Sequence, residues 1–262
     1  MIYRKILVFF IVFLAVTWPD SLFSKAGNNF SEFSLINQEQ DTDVVTIVAF
    51  GNSITATRKT VNKVFVQRLP VLLKERGIKA NVINSGIGGS HTGRRTDHDL
   101  FKIRHALDRF EPDVLAHNPD IVIIGFGTND AHIDSKERNG KSRIPLDKYK
   151  ANLEYMINRL LKQNSKVILM APNILGANYG EIQNDRLIKY VKVVRRLARK
   201  YNLGLADNYR LFVNFEKSTG ESFDTLMLDG VHPNDRGHEL IADQLVNEII
   251  LTKKNEYVSK KN

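Results

Sequence analysis

Cysteine is missing altogether from the 262 residues. That excludes a disulfide-stapled scaffold, a thiol nucleophile and a thiolate zinc site. It also excludes an anchor in which lipid is attached to a cysteine. Long apolar runs are scarce as well. Residues 6–16 form an unbroken apolar stretch of eleven, whereas a helix crossing a bilayer needs about 20. No stripe of basic residues interleaved with aromatics points to nucleic acid. No spacing of histidines and carboxylates suggests a metal site.

The apolar stretch has a recognisable setting. Arg4 and Lys5 precede it, and Trp18, Pro19 and the small-residue site Ser24-Lys25-Ala26 follow. This is the layout of a secretory signal peptide cut after Ala26, with an uncleaved membrane anchor as the alternative. The expected organisation is a signal peptide at 1–26, a polar linker at 27–42, one domain at 43–252 and a basic tail at 253–262. The expected location is secreted or periplasmic, with no stable membrane insertion after cleavage. Loss of Arg4, Lys5, Lys25 and Asp20 lowers the net charge from +9 to +7 (35 basic against 28 acidic residues). The remaining excess is diffuse and gathers at 189–200 and 252–262, as on a solvated helix face and a chain end.

From residue 44 the chain alternates between two periodicities. A continuous β-rich apolar run lies at 44–50, and further strands are read at 80–86, 120–127, 166–172 and 203–207. Helical spacing predicts helices at 63–77 (kinked or shortened by Pro70), 99–110, 146–163, 184–202 and 235–251. Apolar strands separated by helices imply a parallel sheet covered on both faces. The reading is a three-layer α/β/α sandwich with a five-stranded sheet in the flavodoxin-like order 2-1-3-4-5.

Ligands in such a sheet bind beyond the carboxyl ends of the strands, and those ends are chemically distinctive. The first strand ends in Gly51-Asn52-Ser53, the second in "NSGIGGSHTG" (84–93), and the third in "GTND" (127–130); "DGVHP" (229–233) precedes the last helix. A serine hydroxyl is a poor nucleophile at neutral pH and needs a base within reach. His232 can serve, with Asp229 to fix its tautomer and stabilise the imidazolium. Backbone N–H groups of a glycine turn and an asparagine amide can hold the oxyanion of an acyl-transfer transition state.

These four segments, in this order, resemble the SGNH (GDSL) hydrolase family over residues 45–250. The resemblance implies Ser53 as nucleophile, Asp229 and His232 as acid and base, and Gly89 (beside Gly88) and Asn129 as oxyanion donors together with the Ser53 N–H. It implies no cofactor. The first block of the family is usually Gly-Asp-Ser, and here Asn52 replaces the acid, keeping its size and dropping its charge. The expected activity is serine esterase, acting on a small-molecule or glycan ester, with O-deacetylation of a carbohydrate foremost. Lysophospholipase or thioesterase action on longer acyl chains is one alternative; a non-hydrolytic glycan-binding or O-acetyltransferase role is the other. The sequence carries no signal of oligomeric state.

Other groups compete for attention. Ser90 in "GGSHT" approaches a G-x-S-x-G elbow but lacks the last glycine. Asp235 and His238 repeat the D-x-x-H spacing, but at a helix start, where Asn234 can cap and Asp235 suits the positive end. "GIGGSH" fails the dinucleotide-binding pattern. His91 and His132 lie in loops at the edge of the site, His105 falls on a helix, and Asp130 is read as bracing the loop of Asn129.

Overall fold

The computed structural model describes residues 44–135 and 137–259. The expected signal peptide and linker lie outside the described residues. Five strands form one parallel sheet: β1 (Val45–Gly51), β2 (Ala80–Gly86), β3 (Ile121–Gly125), β4 (Lys166–Ala171) and β5 (Gly204–Asp207), in the order β2-β1-β3-β4-β5. Alternate side chains feed two cores, as the period of two requires. Val48, Phe50, Val122, Ile124, Val167 and Leu169 face one layer, built on α2 (Ala106–Asp113), α4 (Leu146–Lys162) and α5 (Gly180–Tyr201). Ile47, Ala49, Ile121, Ile123, Ile168 and Met170 face the other, built on α1 (Phe65–Glu75), α6 (Asn208–Thr219) and α7 (Asp235–Ser259). Because both faces of β1, β3 and β4 are buried, these strands read as near-continuous apolar runs, whereas β2 at the sheet edge is only partly buried and carries Asn81, Asn84 and Ser85.

The strand order positions the site. The chain leaves β1 for β2 on one side and returns to β3 on the other, so the winding reverses at β1. Gly51 lies in register with Gly86 and with Gly125, so β1, β2 and β3 reach their carboxyl ends side by side.

Several elements differ from the expectation. The helix expected from 99 begins only at Ala106. Lys102 takes a left-handed backbone (φ 50°), and the Asp108 carboxylate accepts the His105 N–H at 3.0 Å, fixing the start there. Of the apolar residues before that point, Leu100 is 58% exposed, Phe101 is 47% exposed and lines a cleft, and Ile103 is half-buried. Pro70 lies inside α1, which is confined to Phe65–Glu75 and held by buried Phe65, Val66, Leu69 and Leu73. Two helices were not anticipated, the single turn α3 (Thr128–Ala131) and α6. Both ends of α6 carry signals in the sequence. Asp207 accepts the Arg210 N–H at 3.1 Å, and Gly220 closes the helix in a left-handed conformation. The final helix continues past 251 to Ser259, through residues expected as a tail.

Candidate active site

Ser53 lies two residues beyond β1, in a turn built by Asn52. The Asn52 side chain accepts the Ile54 N–H at 2.9 Å, and its carbonyl accepts the N–H groups of Thr55 and Ala56. Asn52 is buried. These contacts need an acceptor oxygen and no charge, so asparagine fills a place where an aspartate would be costly to bury.

The partner loop arrives from 179 residues away. Ser53 Oγ lies 2.9 Å from His232 Nε2, and His232 Nδ1 lies 2.7 Å from Asp229 Oδ2. A carboxylate only accepts, so Nδ1 carries the proton, and Nε2 is left to accept from the serine hydroxyl. Asp229 Oδ1 accepts the N–H groups of Val231 and His232 at 3.0 and 2.9 Å. Partial burial pushes the Asp229 carboxyl up, but the His232 and Val231 hydrogen bonds outweigh it and hold the group below the ordinary carboxylate range. Gly230 permits the tight fold with φ 80°, and a Cβ there would strike the Asn178 side chain. Asn178 Nδ2 donates to the Asp229 carbonyl, and Asn173 Nδ2 to the Val231 carbonyl. The loop is thus held from outside itself.

Gly88, Gly89 and Asn129 line the same cleft as Ser53 and His232, a hollow of about 420 Å³. Gly89 has φ 76°, and a Cβ there would lie 2.7 Å from the Phe101 ring. Only glycine fits the turn. Asn129 Nδ2 donates one hydrogen to the Ser90 carbonyl at 3.0 Å, which leaves the other available. Asp130, wholly buried, accepts the N–H and the hydroxyl of Thr92. Asn152 Nδ2 donates to that hydroxyl in turn at 3.2 Å. Burial pushes the Asp130 carboxyl up to about 6. The glycine loop after β2 and the turn after β3 are therefore tied together behind the cleft.

The structure brings Ser53, Gly89, Asn129 and His232 around one hollow, with Asp229 behind His232, and separates the competing groups from it. Ser90 is buried, and it meets the site only through its carbonyl. Asp235 accepts the N–H groups of Asn62 and Lys63 and pairs with Arg68 at 2.9 Å. His238 Nδ1 accepts the Phe65 N–H at 3.3 Å. That pair joins α7 to the start of α1. His91 is buried and stacked on His105, with ring centres 3.5 Å apart. Burial lowers the His91 pKa to about 4. His132 does line the cleft.

Sequence reasoning missed Arg109. Its guanidinium is wholly buried; it donates to the carbonyls of Gly51 (2.9 Å) and Ser85 (2.8 Å) and pairs with Asp113. It clamps the ends of β1 and β2 directly below the Ser53 turn. Arg58, Phe101, Arg143 and Tyr179 were also missed as walls of the cleft. No motif marks them, because each reaches the cleft from an irregular segment or a single helical turn.

The sequence and the fold have counterparts among known proteins. The sequence profile of the GDSL-like Lipase/Acylhydrolase family matches residues 49–240. An acetylxylan esterase from Geobacillus stearothermophilus is 28% identical over 186 residues, covering 69% of this chain and 76% of that protein. An arylesterase from Vibrio mimicus is 25% identical over 205 residues, covering 78% of this chain and 88% of the relative. The crystal structure of a lipase/acylhydrolase from Enterococcus faecalis superposes with a TM-score of 0.63 at 29% identity, over 79% of this chain and 95% of that one. The chain belongs to the GDSL-like lipase/acylhydrolase family and is an esterase of that family.

Proposed function

We propose that this esterase removes acetyl groups from a carbohydrate, using Ser53 as nucleophile, and that it works outside the cytoplasm. The observation that carries the reading is the unbroken hydrogen-bonded chain from Asp229 through His232 to Ser53 at the rim of the cleft. Ser53 Oγ attacks the ester carbonyl while His232 Nε2 takes its proton, and Asp229 stabilises the imidazolium. The tetrahedral oxyanion is held by the N–H groups of Ser53 and Gly89 and by the free amide hydrogen of Asn129. His232 returns the proton to the departing alkoxide, leaving an acetyl-serine. Water, deprotonated by the same imidazole, then releases acetate and restores the hydroxyl.

Three observations support the substrate class and the location. Charged and polar side chains from Arg58, Asn129, His132 and Arg143 share the cleft with Phe101 and Tyr179, which suits a short acyl group on a hydroxylated alcohol. Acetylxylan esterases are among the relatives, and catalytic mutants of one of them replace a serine and an aspartate. Another relative is an uncharacterised lipoprotein of Bacillus subtilis, in keeping with the export signal read at residues 1–26. The test is a series of aryl esters from acetate to palmitate beside acetylated oligosaccharides. Acetate turnover that falls steeply with chain length is expected. A preference for long acyl chains overturns the proposal in favour of a lysophospholipase or thioesterase. A fluorophosphonate probe is expected to label Ser53; labelling elsewhere refutes the mechanism.

A further inference from the structure

The cleft contains two arginines in different states. Arg143 is fully engaged: it binds the Asp134 carboxylate through Nε and Nη2 at 2.6–3.2 Å, and it lies over the Phe101 ring at 5.2 Å. It completes a wall. Arg58 lines the same cleft with no ion pair and no hydrogen bond among the described residues. Its Nη1 is buried without a partner. A partly desolvated guanidinium with no counter-charge is costly to keep, and an incoming anion relieves the cost.

The charge around Arg58 is lopsided too. From residue 44 to residue 74 there is no aspartate or glutamate, while Arg58, Lys59, Lys63, Arg68 and Lys74 all lie in that stretch. Arg68 is neutralised by Asp235. Asn52, next to the nucleophile, stands where a carboxylate would have cancelled part of the field. Among the described residues, the lining of the cleft includes no aspartate or glutamate, and of its two arginines Arg143 is paired with Asp134 while Arg58 is not. Arg58 and His232 line the same cleft. His232 is the group that protonates the leaving alcohol.

We infer that Arg58 recognises a carboxylate on the alcohol portion of the ester, so that the preferred substrate is an O-acetylated acidic sugar such as a uronic acid residue. This rests on the O-deacetylase reading above and narrows it. A guanidinium matches a carboxylate with two parallel N–H···O bonds. The net positive charge of the chain, +9, adds a long-range attraction that salt screens.

The experiment compares kcat/KM on acetylated oligogalacturonides, acetylated xylo-oligosaccharides and 4-nitrophenyl acetate, for the native protein and for Arg58→Gln and Arg58→Lys. The native protein is expected to favour the acidic glycan, more so at low ionic strength. Arg58→Gln is expected to lower kcat/KM on the acidic glycan at least tenfold more than on either neutral ester, mainly through KM, as loss of a charge-assisted pair implies. Arg58→Lys restores part of it. Equal loss on all three substrates, or native turnover without preference for the acidic glycan, overturns the inference while leaving the O-deacetylase reading intact. Absence of turnover on every ester overturns both.

Discussion

Replacing Arg109 with methionine tests whether the site depends on a clamp that no motif announces. Methionine keeps most of the stem and removes the guanidinium. Three hydrogen bonds go: to the carbonyls of Gly51 and Ser85 and to the Asp113 carboxylate. A hydrogen bond from a charged donor contributes about 1.5–3 kcal/mol, and taking one member from a buried charged cluster costs about 3–5 kcal/mol. The Gly51 carbonyl keeps the Ile87 N–H at 3.1 Å, and Asp113 is partly exposed and regains water. Both push the estimate to the low end, about 3 kcal/mol. For a domain of this size each kcal/mol shifts the melting temperature by about 2–4 °C, giving a fall of about 6–12 °C. Calorimetry of the native protein and of Arg109→Met reads this directly. Arg109→Lys, which keeps the charge but cannot fork between two strands, should fall in between. Because Gly51 lies two residues before Ser53, kcat on an aryl acetate, measured well below both melting points, should fall as well. A melting temperature within about 2 °C of native, with kcat unchanged, would refute the clamp.

Asp229→Asn keeps the shape of its loop but can leave His232 with the wrong tautomer; kcat should fall by about 10³–10⁴ with little change in KM, measured on an aryl acetate. Gly89→Ala forces a left-handed backbone on alanine and drives a methyl into Phe101. Steady-state assays should show kcat reduced at least tenfold, and Gly89→Ala combined with Phe101→Ala should recover only the part due to the clash, since the backbone strain persists. Burial lowers His91 and His238 to a pKa of about 4 in the folded protein, against about 6.5 in the unfolded chain. Between those values the unfolded state binds more protons, so stability is highest above pH 6.5 and falls as the pH drops towards 4. Asp130, raised by burial to about 6, works in the opposite sense, because its folded form gains as the carboxyl takes up a proton. The two histidines outweigh it, and the urea midpoint should be lower at pH 5 than at pH 7.5; a midpoint that rises on acidification would contradict the burial argument.

The sequence by itself determined the class of the fold and its strand order. A parallel sheet buried on both faces needs strands that are apolar at every position, and that pattern is local, as at 44–50 and 120–127. It also drew attention to Ser53 and to the Asp229–His232 pair, because strand ends in such a sheet share one edge, while the family resemblance pointed to Gly89 and Asn129. Only the tertiary structure decided the rest. Leu100, Ile103, Leu107 and Phe110 have helical spacing, yet the helix begins at Ala106, since the His105–Asp108 contact fixes its start and Phe101 turns to the cleft over Gly89. Arg109 reads as the polar face of a helix, and its place below the serine depends on Gly51, 58 residues away. Arg58 reads as one cation in a basic stretch. Whether it is paired depends on which carboxylates the fold brings near, and Asp134 and Asp235 go to Arg143 and Arg68 instead. Periodicity is written between neighbours in the chain, whereas the compensation of a buried charge is settled between residues that meet only once the chain has folded.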